Sequence, residues 1–233
     1  MLTTKQHSSE ALCRSILAHN SDTISVRKPG IAIKNLTVII EAALKLSNGK
    51  GFQAMSLRDL SKEAGMSMGG LYAYFDSKTT LLNMILTQVT TSVGDVLNNP
   101  PAEVTDDPIA HLDWLIEAHI RLTEEMLAWF AFSFMEAKSF PPKERKIAIN
   151  SEIMTEEIFA DVIFRAQEQG LLREDVSPLL PSLIKPLLQD WYVKRAKYRK
   201  RGVSVSEYVR TVQHFVRAAC LPLDQLRGES SVN

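Results

Sequence analysis

Residues 56–78 read SLRDLSKEAGMSMGGLYAYFDSK, and no other stretch limits the fold of this chain so tightly. Ser56 followed by Asp59 predicts a capped helix start. The hydroxyl can accept an orphan backbone N–H while the carboxylate reaches back to the cap. Leu57, Leu60 and Ala64 then fall at i, i+3 and i+7, one apolar stripe facing a core. Gly65 supplies the permissive backbone that ends this helix, so the turn is Gly65-Met66 and Ser67 is the next N-cap.

The second helix is defined by missing side chains. At 100° per residue Leu71 and Phe75 share an inward face, leaving Gly69, Gly70 and Ala73 outward with Tyr72 and Tyr74 on the flanks. Two glycines cost a free-standing helix about 1 kcal/mol each relative to alanine. That cost makes sense where backbone must approach something closely. Two partners fit: a neighbouring helix, or the major groove of DNA with the tyrosines and the helix start on phosphates.

Ser67, Gly69, Leu71, Tyr72, Tyr74, Phe75, Ser77 and Lys78 together spell Ser-x-Gly-x-Leu-Tyr-x-Tyr-Phe-x-Ser-Lys, which resembles the signature of the TetR family of bacterial transcription regulators. The likeness extends over roughly residues 34–86. Met68 and Gly70 depart from it, since relatives commonly carry a basic or polar residue at the first position and a small polar residue or Thr at the second. The resemblance implies an all-α protein: a three-helix DNA-binding head with a helix-turn-helix, joined by a fourth helix to a larger helical body for ligand binding and dimerisation, about nine helices in total. It implies double-stranded operator DNA as partner, a homodimer, and two recognition helices about 34–36 Å apart, one turn of DNA. Candidate DNA contacts are Ser56, Arg58, Ser67, Met68, Gly69, Gly70, Tyr72, Tyr74 and Lys78.

Composition agrees without deciding. Basic and acidic residues balance at 27 each over 233 residues, but residues 1–90 hold ten basic and six acidic. A modestly basic end on an acidic remainder suits a protein that presents one end to phosphate. Cys13 and Cys220 give neither a disulfide framework nor a metal spacing. No apolar run approaches the ~18 residues of a membrane span, and residues 1–30 lack an apolar leader core. A cytoplasmic protein with no membrane association is expected.

Along the chain, residues 1–30 are rich in Ser, Thr and His and close on Arg27-Lys28-Pro29-Gly30. They read as a flexible extension, or as a basic arm reaching the phosphates or minor groove. The head follows over 31–76: a helix through Leu36, Ile39, Ile40, Ala43 and Leu44, then Phe52 as a plug, then the helix-turn-helix. The body is expected over 77–223 and a frayed tail over 224–233. Its first helix runs to about Leu97, where Asn98-Asn99-Pro100-Pro101 stops it.

Residues 108–139 are helical in pattern and apolar on several sides, carrying Trp114, Met126, Trp129, Phe130 and Phe134. Core packing and a pocket wall both produce such a stretch. With Met154 and Ile158 from the next helix, these residues form the candidate pocket for a small lipophilic effector. The basic run from Lys194 to Arg201 is either a solvated helix end or the partner of an acidic headgroup, which would make the ligand a fatty acid or an acyl-CoA. Leu187 and Trp191, with the seam Val205, Val209, Val212 and Val216, form the candidate dimer interface. His111 and His119 carry no metal or catalytic spacing, and no phosphate or dinucleotide fingerprint occurs. No enzyme activity, cofactor or metal is expected. The expected function is a homodimeric repressor released from its operator by a lipophilic ligand; the alternative is a regulator controlled by a protein partner, or an activator, without a ligand.

Overall fold

A computed structural model describes residues 7–222. The described residues form twelve α-helices: α1 (Ser9–His19), α2 (Pro29–Lys50), α3 (Leu57–Glu63), α4 (Met68–Tyr72), α5 (Lys78–Leu97), α6 (Ala102–Thr105), α7 (Pro108–Glu125), α8 (Leu127–Met135), α9 (Pro142–Glu168), α10 (Leu180–Val193), α11 (Arg195–Lys200) and α12 (Val205–Cys220). The all-α expectation holds. Among the twelve, α1 and the single-turn α6 form where no helix was expected, and two stretches expected to be helical throughout break. One breaks at Met126 (φ −106°, ψ 31°) and the other at Lys194 (φ −113°, ψ 29°). The expected tail at 224–233 lies outside the described residues. No described helix is long and apolar enough to cross a membrane.

The described residues divide into two compact units, 7–92 with 125–150, and 93–124 with 151–222. This differs from a division at residue 76. In the first unit, Leu36, Ile39 and Ile40 of α2 and Leu60, Leu71, Phe75, Leu81, Leu82 and Ile85 are all fully buried. Each such side chain contributes about 1.5–3 kcal/mol relative to exposure. Gly51 ends α2 at φ 83°, where a glycine avoids the Cβ penalty. Phe52 then turns inward against Phe132 and Phe140, ring centroids 5.4 and 6.1 Å away. The aromatic stretch after Met126 is therefore core of the unit that carries the helix-turn-helix.

Within the N-terminal extension, Ser9–His19 forms a helix where none was expected. Ser8 caps α1 by accepting from Ala11 N, and Leu12, Cys13 and Ile16 are buried, with α1 packed on α2. Leu12 and Ile16 at i, i+4 supply the anchor. Further on, Ser25 N and Oγ both donate to Ala73 O, at 2.9 and 3.2 Å. That segment is thus tied to the end of α4.

The second unit buries Leu112, Leu115, Ile116 and Ile120 of α7, Phe159, Val162 and Ile163 of α9, Ile184, Leu188 and Trp191 of α10, and Val209, Val212 and Val216 of α12. Glu124 receives a two-pronged grip from Arg195 (2.7 and 2.8 Å) and a further bond from Trp191 Nε1 at 3.0 Å. Within this apolar core sits one cationic side chain, Lys185, 3.3 Å from His119 Nε2.

Candidate DNA-binding face and body cavity

The helix-turn-helix is held by local bonds. Asp59 N donates to Ser56 Oγ (3.1 Å) and Ser56 N to Asp59 Oδ2 (2.8 Å), a complete capping box. Three contacts, from Lys50 Nζ, Ser56 Oγ and Ser56 N, hold the Asp59 carboxyl well below the usual carboxylate range. Gly65 adopts φ 64°, and Met66 N returns to Ser61 O at 3.0 Å to close the turn. Ser67 Oγ caps α4 by accepting from Gly70 N at 3.1 Å.

α4 exposes the surface that its sequence suggests at some positions and not at others. Gly69 is exposed and a Cβ placed there would meet nothing within 4 Å. Arg58, Ser67 and Tyr72 are exposed, Met68 and Gly70 half-buried. Ser56 is also exposed, with its hydroxyl committed to Asp59.

Tyr74 and Lys78 need correction. Tyr74 is only 1% exposed. α4 ends at Tyr72, so the helical spacing that placed Tyr74 on an outer flank no longer applies and the chain turns it inward. Burial pushes its phenol up, partly opposed by Asn35. Lys78 Nζ donates to the carbonyls of Phe52, Gln53 and Met55 at 2.9, 3.0 and 3.1 Å and lies 4.8 Å from the Phe52 ring centroid. It fastens the loop between α2 and α3 instead of facing solvent.

Residues 39–85 match the model of bacterial regulatory proteins of the tetR family. The HTH-type transcriptional regulator YuxN of Bacillus subtilis is 45% identical over 49 residues, 21% of this chain and 17% of that protein. The HTH-type transcriptional repressor KstR of Rhodococcus jostii is 28% identical over 102 residues, 41% of this chain and 47% of that one. The match thus spans less than half the length of either relative. Among solved structures, the TetR family regulator PfmR of Thermus thermophilus superposes with a TM-score of 0.66 at 28% identity, covering 76% of this chain and 96% of that one. The helix-turn-helix head thus matches the TetR family of bacterial regulators, and the fold of the chain is similar to that of a solved TetR-family regulator.

The second unit holds a cavity of about 470 Å³ that opens widely to solvent. Its apolar lining comes from Leu97, Pro100, Met154, Ile158 and Val162, its polar lining chiefly from His111, Glu157 and Asp161. Of the seven expected pocket residues, only Met154 and Ile158 line it. Trp114 packs beside His111, ring centroids 5.9 Å apart. Met126, Trp129 and Phe130 are core of the first unit, and Phe134 is 40% exposed there. The basic run does not line the cavity either. Arg195 is held by Glu124, while Lys194 and Lys197 pair with Asp190 at 2.6 and 2.8 Å. A headgroup site at 194–201 is therefore withdrawn.

The expected dimer residues are also rearranged. Trp191, Val209, Val212 and Val216 are 0–4% exposed in the single chain, so this seam faces the protomer's own core. Leu187 and Val205 are half-buried. What α10 and α12 leave in water is Leu183 at 58% and Phe215 at 60%, with Leu179 just before α10 at 63%. Leu183 continues the i+4 run of Leu187 and Trp191 that the sequence displays, whereas Phe215 falls off the valine seam and Leu179 precedes α10.

Proposed function

We propose that this protein is a homodimeric TetR-family repressor that lays α4 in the major groove and leaves its operator when a small molecule fills the cavity of the second unit. The observation that carries the DNA-binding part is the bare outer surface of α4: open space at Gly69, with exposed Ser67 and Tyr72 beside it. Backbone can reach base edges there while the Tyr72 and Ser67 hydroxyls reach phosphates. Arg27 and Lys28, exposed just after the Ser25–Ala73 tie, add a cationic flank to the same helix.

Dimerisation rests on Leu179, Leu183 and Phe215. Large apolar groups left this exposed commonly mark an interface. The repressor sign draws on the likeness to KstR, described as a repressor, and the effector on a cavity within the ~300–1,000 Å³ range of small-molecule sites. An effector acts here by favouring the conformation that DNA does not.

Footprinting on the DNA flanking the protein's own gene tests the reading. Two protected half-sites about 34–36 Å apart, or at a multiple of that spacing, are expected. The affinity should fall linearly on a log–log salt plot. Protection of a single half-site, or salt-independent binding, would count against it.

A further inference from the structure

The cavity of the second unit carries its own chemical instructions. His111 is 7% exposed and lines it. Arg165 Nη2 lies 2.8 Å from His111 Nδ1. A guanidinium only donates, so Nδ1 accepts and the neutral ring carries its proton on Nε2. Burial and the Arg165 charge both hold the ring in that neutral form by lowering its pKa. Nε2 is buried and has no hydrogen-bond partner. A buried donor left unmade costs about 1–3 kcal/mol, and an acceptor oxygen on a ligand would recover much of that.

The charge of the lining is negative. Glu157 and Asp161 both line the cavity and sit at i, i+4 on α9, with Glu157 exposed and the Asp161 side chain 71% exposed. The nearby cation, Arg165, is already committed to Asp161 (3.3 Å), to Thr105 O (3.2 Å) and to His111. Leu97, Met154, Ile158 and Val162 supply apolar lining of the same cavity, and Asn98 a further polar group. A carboxylate ligand would meet two like charges here, and a cation two opposite ones.

We propose that this cavity takes an amphipathic organic cation bearing an acceptor oxygen. The oxygen accepts from His111 Nε2, the apolar body lies on Leu97, Met154, Ile158 and Val162, and the cationic group faces Glu157 and Asp161. The inference rests on reading the second unit as the effector-binding region, and it replaces the fatty acid or acyl-CoA expected from the basic run.

Calorimetry on the full chain with four probes of one chain length, each below its micelle concentration, decides it: decanoylcholine, decyltrimethylammonium, methyl decanoate and decanoate. Decanoylcholine should bind tightest and decanoate weakest. Glu157→Gln should weaken both cations by about twofold to fivefold, the range of a partly exposed ion pair, and leave methyl decanoate unchanged. His111→Phe, checked for folding by circular dichroism, should weaken decanoylcholine by about threefold to tenfold, one neutral hydrogen bond, and leave decyltrimethylammonium unchanged. Decanoate binding as tightly as decanoylcholine overturns the ligand class while keeping an effector site. Absence of binding by all four overturns both readings. The expected ranking without any change in DNA affinity upholds the cation site and rejects the effector role.

Discussion

The ammonium of Lys78, at the start of α5, donates to the carbonyl of Phe52 at 2.9 Å, 26 residues earlier in the chain. Gln53 and Met55 carbonyls complete its set, so a single side chain closes the loop that leads into α3. The aromatic floor beneath that loop is Phe52 against Phe132 and Phe140, and Glu136 Oε2 accepts from Phe52 N at 2.9 Å. The helix-turn-helix is thereby fixed at its entrance by residues from three separate parts of one unit.

Lys78→Ala should therefore act on folding. Hydrogen bonds from a charged donor contribute about 1.5–3 kcal/mol, and the loss here should lie in that range as read by urea denaturation. The slope of log affinity for DNA against log salt should not change, because no phosphate contact is removed. A slope smaller by about one unit at unchanged stability would return Lys78 to the phosphate backbone.

The two tyrosines should separate cleanly. Tyr72→Phe should lower operator affinity without moving the melting temperature, since Tyr72 is 51% exposed, whereas Tyr74→Phe should leave affinity unchanged. Gly69→Leu should fold, there being no atom within 4 Å for its Cβ to meet, and should abolish the gel shift by blocking the groove. A folded Gly69→Leu protein that still binds would remove α4 from the groove.

How much of this was legible in the sequence depends on how local the cause is. Ser56 with Asp59, Gly65 and Ser67 are short-range devices, and α3, its turn and the start of α4 follow from them directly. Tyr74 was misplaced because a periodicity argument needs more than the five residues of α4. α1 was missed because its polar content hides three well-spaced apolar residues. The aromatic run around Trp129 and the seam at Val212 show a deeper limit. An apolar stripe states that something covers it and leaves open whether the cover is the same chain, a copy or a ligand. The cavity pair of His111 and Arg165, 54 residues apart, has no sequence signature at all.

Substitutions on α10 and α12 should now have opposite outcomes from those the valine seam suggested. Val212→Arg with Val216→Arg should unfold the second unit, because both positions are buried and an unpaired charge there costs several kcal/mol. Leu183→Arg with Phe215→Arg should leave a folded protein that sediments as a monomer. Sedimentation equilibrium checks both, and a dimer that survives Leu183→Arg with Phe215→Arg would place the interface elsewhere.

Lys185 gives the protein a pH signature. Burial pulls its ammonium from the ordinary 10.5 down to about 8, with Glu152 and Glu156 pulling the other way. His119, fully buried beside it, is pushed well below its usual value by desolvation and by the Lys185 charge. Between pH 8 and 10.5 the unfolded chain binds this proton and the folded chain has released it. Stability then rises with pH through that window, with a slope of at most ~1.4 kcal/mol per pH unit. Below pH 8 both states hold the proton and the contribution is flat. Urea denaturation at intervals from pH 7 to 10 should show the rise, superposed on the titration of other groups, and Lys185→Met should remove it. Identical pH profiles for the two proteins would mean that water or the neighbouring glutamates keep Lys185 charged throughout, and the buried ammonium would carry no pH dependence of its own.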